Sequence, residues 1–157
     1  SAAGCPGSRA RLLRSASKEA LPSVSDTERT PSTLHTSSQL MQWPVQIKLA
    51  PITAPYFENA SLLIAADCTA YAYASFHQDF ISGRITLIGC PKLDAVDYTE
   101  KLTEILRQNS IRDVTVIRME VPCCGGIEAA VANALQNSGK LLPRQTITIT
   151  TDGHILR

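Results

Sequence analysis

Cysteine is the residue type in this chain best suited to chemistry. Five occur: Cys5, Cys68, Cys90 and the adjacent pair Cys123 and Cys124. A thiolate is both a nucleophile and a ligand for soft cations, so thiols that converge point to thiol–disulfide chemistry or to binding of iron–sulfur, zinc or copper(I). The spacing is not that of a small secreted disulfide scaffold, and an odd count suits a reducing, cytoplasmic compartment. The repeated Cys-x-x-Cys of a structural zinc site is absent, which places an iron–sulfur cluster ahead of zinc. A disulfide between adjacent cysteines strains the peptide joining them, so Cys123 and Cys124 read as separate thiols or ligands.

The elements that must position these sulfurs are legible from Trp43 onward, where short apolar segments alternate with helical ones. Leu62–Ala66, Ile85–Gly89 and Val114–Met119 are apolar on both faces, the mark of buried parallel strands. Thr146–Thr150 alternates strictly, and Val45–Leu49, between Pro44 and Pro51, reads as an edge strand. Tyr98, Leu102, Ile105 and Leu106 fall at helical spacing, with Asp94 as N-cap and Asn109 as the stop. A second helix follows Gly126, carrying Ile127, Ala130, Val131, Ala134 and Leu135 on one face, and Tyr71–Phe80 reads as helical. Asp152-Gly153 predicts a turn into a last strand, Ile155–Leu156, paired with Thr146–Thr150. The fold class is therefore α/β, a three-layer, mostly parallel sheet of Rossmann-like type with a C-terminal hairpin. Residues 41–157 form this domain. Residues 1–40, rich in Ser, Pro and Arg, read as a flexible linker, and the chain reads as a piece of a longer protein.

On that map Cys68 follows the first buried strand, Cys90 the second, and Cys123 and Cys124 the third. Open α/β sheets keep their ligand crevices at the carboxyl ends of their strands. Three segments thus deliver four sulfurs to one edge. Gly125 and Gly126 permit close backbone approach there, and the helix they open is expected to aim its amides at the site and to lower a thiol pKa. Cys5, in Gly-Cys-Pro-Gly-Ser, can swing over as a further ligand. Pro91 and Pro122 fix the chain beside two sulfurs. His77 lies near Asp79 on a helix surface, Tyr71 and Tyr73 line the crevice or pack in the core, and Asp67 supports the site through hydrogen bonds.

A formal net charge of +1, from fifteen basic and fourteen acidic residues, leaves no electrostatic footprint for nucleic acid or an anionic membrane. No apolar run is long enough to span a bilayer. A Ser-His-Asp order, a phosphate loop and a dinucleotide fingerprint are all missing.

At Gln42-Trp43-Pro44-Val45-Gln46, Ala65-Ala66-Asp67-Cys68, Gly89 to Asp94, Met119 to Gly125 and Gly4 to Ser8, the chain resembles the bacterial two-cluster ferredoxin-like family. The resemblance implies a C-terminal α/β domain whose N-terminal module, with two four-iron four-sulfur clusters, is absent here, and it implies a redox setting and an iron–sulfur association.

Three functions follow as expectations. In the first, Cys68, Cys90, Cys123 and Cys124, with Cys5, hold an iron–sulfur cluster that passes electrons to a redox partner protein. In the second, the domain is a metal-free docking platform for that partner. In the third, the crevice is a thiol redox enzyme with Cys123 or Cys124 as nucleophile. Electron transfer or binding is favoured over enzymatic catalysis, and the Val45–Leu49 edge permits a homodimer.

Overall fold

Apolar strands without polar alternation must be covered on both faces, and the centre of the sheet is built this way. In the computed structural model, which describes residues 5–13 and 36–156, a short antiparallel pair, β1 (Arg11–Leu12) and β2 (Gln42–Trp43), precedes a four-stranded sheet. Its strands are β3 (Ala60–Ala66), β4 (Ile85–Gly89), β5 (Ile111–Met119) and β6 (Arg144–Ile149). They pair in parallel in the order β4-β3-β5-β6. The described helices are α1 (Thr69–Ala72), α2 (Pro91–Asp94), α3 (Thr99–Gln108) and α4 (Gly125–Ser138).

Side chains alternate between two cores. Leu62, Ile64, Val114 and Val116 face Leu102, Ile105 and Leu106 of α3 and Ile127, Ala130 and Val131 of α4. Leu63, Ala65, Ile117 and Met119 face Phe76, Phe80 and Ile81. The chain leaves β3 for β4 through α1 and then returns past β3 to β5 through α2 and α3. Strand order therefore reverses between β3 and β5, and their carboxyl ends flank the switch point where open sheets hold ligands.

Several expected elements differ. Val45–Leu49 is not a strand but a single parallel bridge, Gln46 to Ile88. The Ile88 amide donates to the Val45 carbonyl at 2.8 Å and the Ile47 amide to the Ile88 carbonyl at 2.9 Å. The chain then turns, with the Leu49 and Ala50 amides both donating to the Gln46 carbonyl, because this drops Ile47 into the core. The helix expected over Tyr71–Phe80 is two short pieces, α1 and a π-helical turn, His77–Ile81. Aromatic and serine residues give this segment little helix propensity. Its course is set instead by the packing of Phe76, Phe80 and Ile81 on the sheet.

Asp94 does not cap α3: Tyr98 holds the N-cap position, and the side chain serving the helix start is that of Asp97. Its carboxylate accepts from the Thr99 amide at 2.9 Å and the Thr99 hydroxyl at 2.6 Å. Ala95, in the left-handed region at φ 50°, separates α2 from α3 and leaves Asp94 at the end of α2. Asn109 stops α3 as expected, donating from Nδ2 to the Ile105 carbonyl at 2.8 Å. The C-terminal hairpin is present as one antiparallel bridge, Ile149 to Ile155. Within the N-terminal arm, residues 1–4 and 14–35 lie outside the described residues. Trp43 donates from Nε1 to the Gly7 carbonyl at 2.6 Å, tying the described part of the arm to β2.

Candidate functional site

The site is assembled from three strand ends. After β3 the ladder runs one rung further, the Asp67 amide donating to the Gly89 carbonyl at 3.1 Å, and Cys68 then opens α1. Thr69, fully buried, anchors this turn by donating from its hydroxyl to the Ala66 carbonyl at 2.6 Å. After β4, Cys90 opens α2 and its carbonyl accepts from the Asp94 amide at 2.9 Å. After β5, Pro122–Cys124 forms a 3-10 turn that runs straight into α4.

The loops that follow β4 and β5 are pressed together. A Cβ on Gly126 would lie 3.3 Å from Cβ of Pro91, so glycine is what lets the Cys90 and Cys124 loops approach this closely. Gly125 sits beside the Arg118 guanidinium, which donates to Glu128 at 2.9 Å across the base of α4. Gly89 is packed against the Tyr98 ring, and the Tyr98 hydroxyl donates to the Asp94 carboxylate.

All five cysteines are free thiols: Cys5, Cys68 and Cys123 exposed, Cys90 half-buried and Cys124 buried. Cys124, which follows β5, and Cys68, which follows the adjacent β3, lie close enough to influence each other's ionisation, and Cys123 acts likewise on Cys124 and Cys90 on Cys68. The four sulfurs predicted at the sheet edge thus follow the ends of β3, β4 and β5 and influence one another pairwise, without converging on one point. Cys5 is not among the neighbours that act on Cys68 or Cys124. Among the described residues, no group of three or more His, Cys, Asp or Glu is arranged to hold a metal ion.

The expected lowering of the thiol pKa values does not occur at Cys68 or Cys124. Burial, together with the neighbouring sulfurs, pushes the Cys124 thiol up to about 11. Burial and the Asp67 carboxylate push the Cys68 thiol upward as well. Desolvation is the largest influence on the charge of both sulfurs.

A family model for a Rossmann-like domain matches residues 54–157. This chain belongs to the Rossmann-like domain family. An uncharacterized protein of Archaeoglobus fulgidus is 30% identical over 118 residues, spanning 74% of this chain and 83% of that relative. No solved structure matches.

The ferredoxin-like resemblance is thereby corrected, because the matching model is a Rossmann-like domain and the described residues hold no metal-ligating group. The motifs that suggested it are mostly loops at strand ends. A Rossmann-like sheet edge calls for glycine, proline and small residues there whatever it binds. No helix among the described residues is long and apolar enough to cross a membrane.

The remaining flanking residues fall into structural roles. The partner of Asp79 is Tyr73, whose hydroxyl donates to its carboxylate at 2.6 Å, and His77 instead accepts the Gln39 amide at Nδ1 at 3.0 Å. Tyr71 stands almost fully exposed beside Cys68. Sequence reasoning missed a pair of buried polar residues that meet in the fold, Gln42 and Thr86. Gln42 accepts the Thr86 amide at Oε1 at 3.2 Å and donates from Nε2 to the Thr86 carbonyl at 2.5 Å. The 44-residue separation leaves no local pattern to find.

Proposed function

We propose that this Rossmann-like chain is a thiol redox domain whose working pair is Cys68 and Cys124. The observation that supports the reading is the adjacency of exposed Cys68 and buried Cys124, which follow the paired strands β3 and β5 at the switch point and lie close enough to influence each other's ionisation. The substrate class is a disulfide carried by a partner protein. The Cys68 thiolate attacks one sulfur of that disulfide, and the other sulfur leaves as a thiolate that takes up a proton. Cys124, once deprotonated, attacks the Cys68 sulfur of the mixed disulfide and releases the second partner thiol. The partner disulfide gains two electrons and two protons, and the Cys68/Cys124 pair loses them. Burial disfavours both thiolates, so the reduced pair draws no stabilisation from ionisation and gives up its electrons readily, while reacting slowly at neutral pH.

Binding of an iron–sulfur cluster or another soft metal by Cys68, Cys90, Cys123 and Cys124 is the second reading, favoured by the arrival of sulfurs from three loops at one edge. It requires the loops to draw closer together on binding.

Protein purified without oxygen, equilibrated across a series of dithiol redox buffers and mapped by peptide mass spectrometry, separates the two. The expected result is metal-free protein with a reversible Cys68–Cys124 disulfide, lost in Cys68→Ser and Cys124→Ser and retained in Cys90→Ser. Absence of that disulfide at every potential would sink the proposal. Stoichiometric iron with cluster absorption would replace it with the second reading.

A further inference from the structure

On the sheet face beneath α1, a cavity of about 170 Å³ lies between β4, α1, the His77–Ile81 turn and the segment carrying Leu40 and Val45. Its walls are largely apolar, with Leu40, Val45, Phe76, Ile81 and Ile88 among the lining residues and His77 beside them. Thr86 is also part of the wall, only 2% exposed, and its Oγ1 has no hydrogen-bond partner. Its backbone is held on both polar atoms by the buried Gln42 side chain, so the hydroxyl is positioned as well as unsatisfied. Buried hydroxyls in native proteins are hydrogen-bonded as a rule, and one that is not calls for a partner such as a water or a bound ligand.

We propose that this cavity binds a small neutral molecule with a benzene-sized apolar body and one hydrogen-bonding group that pairs with Thr86 Oγ1. The volume fits, since an apolar cavity of about 150 Å³ takes up benzene. Asp67 at the rim disfavours an anion. The cavity needs nothing from the thiol chemistry. Because Asp67 and the residues Thr69, Ala70 and Tyr71 line it on either side of Cys68 in the chain, its occupant nevertheless lies beside the loop that carries the exposed thiol.

The test uses the full chain labelled at Ile, Leu and Val methyls, titrated with benzene and with phenol and followed by NMR. Both ligands are expected to shift the methyls of Leu40, Val45, Ile81 and Ile88. Phenol is expected to bind about tenfold more tightly, the equivalent of about 1.4 kcal/mol. Thr86→Val keeps the shape of the wall and is expected to bind benzene unchanged while losing the phenol preference. Thr86→Ser keeps the hydroxyl and is expected to retain it. The proposal is overturned if neither ligand moves these methyls, which would mean the cavity holds water only, or if the phenol preference survives in Thr86→Val.

Discussion

Replacing Gly89 by alanine tests whether the Cys90 loop is held by close packing. A Cβ at this position would lie 2.6 Å from Tyr98 Oη and 2.8 Å from Cζ. Non-bonded carbons ordinarily rest about 3.5–4.0 Å apart, so the ring has to retreat by roughly an ångström. It has no easy retreat, because Tyr98 is 2% exposed within the core of Leu102, Ile105 and Ile127, and its hydroxyl is tied to Asp94. Overpacking of this kind costs about 1–3 kcal/mol, and disturbing the Tyr98–Asp94 hydrogen bond adds about 1 kcal/mol. The expected loss is therefore about 2–4 kcal/mol, which at roughly 3 °C per kcal/mol lowers the melting temperature by about 6–12 °C. Calorimetry of Gly89→Ala, Tyr98→Phe and the double variant measures it. Removing Oη takes away the nearest clashing atom, so the penalty of Gly89→Ala should shrink by about 1 kcal/mol in the Tyr98→Phe background. Alkylation of Cys90, one residue on, should quicken in Gly89→Ala. A neutral Gly89→Ala, or a penalty unchanged by Tyr98→Phe, would refute the reasoning.

Three further outcomes are expected. Gly153, at φ 89°, abuts the Ala72 carbonyl, which an added Cβ would approach to 2.6 Å, so Gly153→Ala should cost about 2–3 kcal/mol in denaturant melts; an unchanged midpoint would show that the hairpin does not pack on α1. Cys68 and Cys124 have thiol pKa values raised by folding, so the folded state holds protons that the unfolded state releases. Their contribution is complete below the ordinary thiol value and is lost as pH rises toward about 11; unfolding melts across that range should show falling stability with a shallower slope in Cys124→Ala, and equal slopes would contradict it. Thr86→Val removes a buried hydroxyl without a partner and should raise stability by about 1 kcal/mol, whereas a loss would reveal a partner for Oγ1.

Much of the sheet was legible before the structure. Leu62–Ala66, Ile85–Gly89 and Val114–Met119 are apolar without alternation, and a segment of that length covered on both faces has few alternatives to a buried parallel strand. The positions of Cys68, Cys90, Cys123 and Cys124 just beyond those strands then followed from counting. Val45–Leu49 misled because alternation and flanking prolines describe an edge strand and a bridged turn equally well; the burial of Ile47 decides between them. Asp94 misled as a cap because Asp97, three residues on, is equally suited to the role, and only the left-handed Ala95 shows which of them meets the start of α3.

Strand periodicity and chain order depend on local residue types alone, and they suffice to place four thiols at the carboxyl ends of three strands of a parallel α/β sheet. Tertiary structure decided the strand order β4-β3-β5-β6 and hence which cysteine-bearing strand ends are neighbours at the switch point. It also decided that Cys124 is buried, that both Cys68 and Cys124 resist ionisation, and that Gln42 and Thr86 meet inside the fold. These outcomes depend on desolvation and on contacts between residues far apart in the chain, which no local pattern encodes.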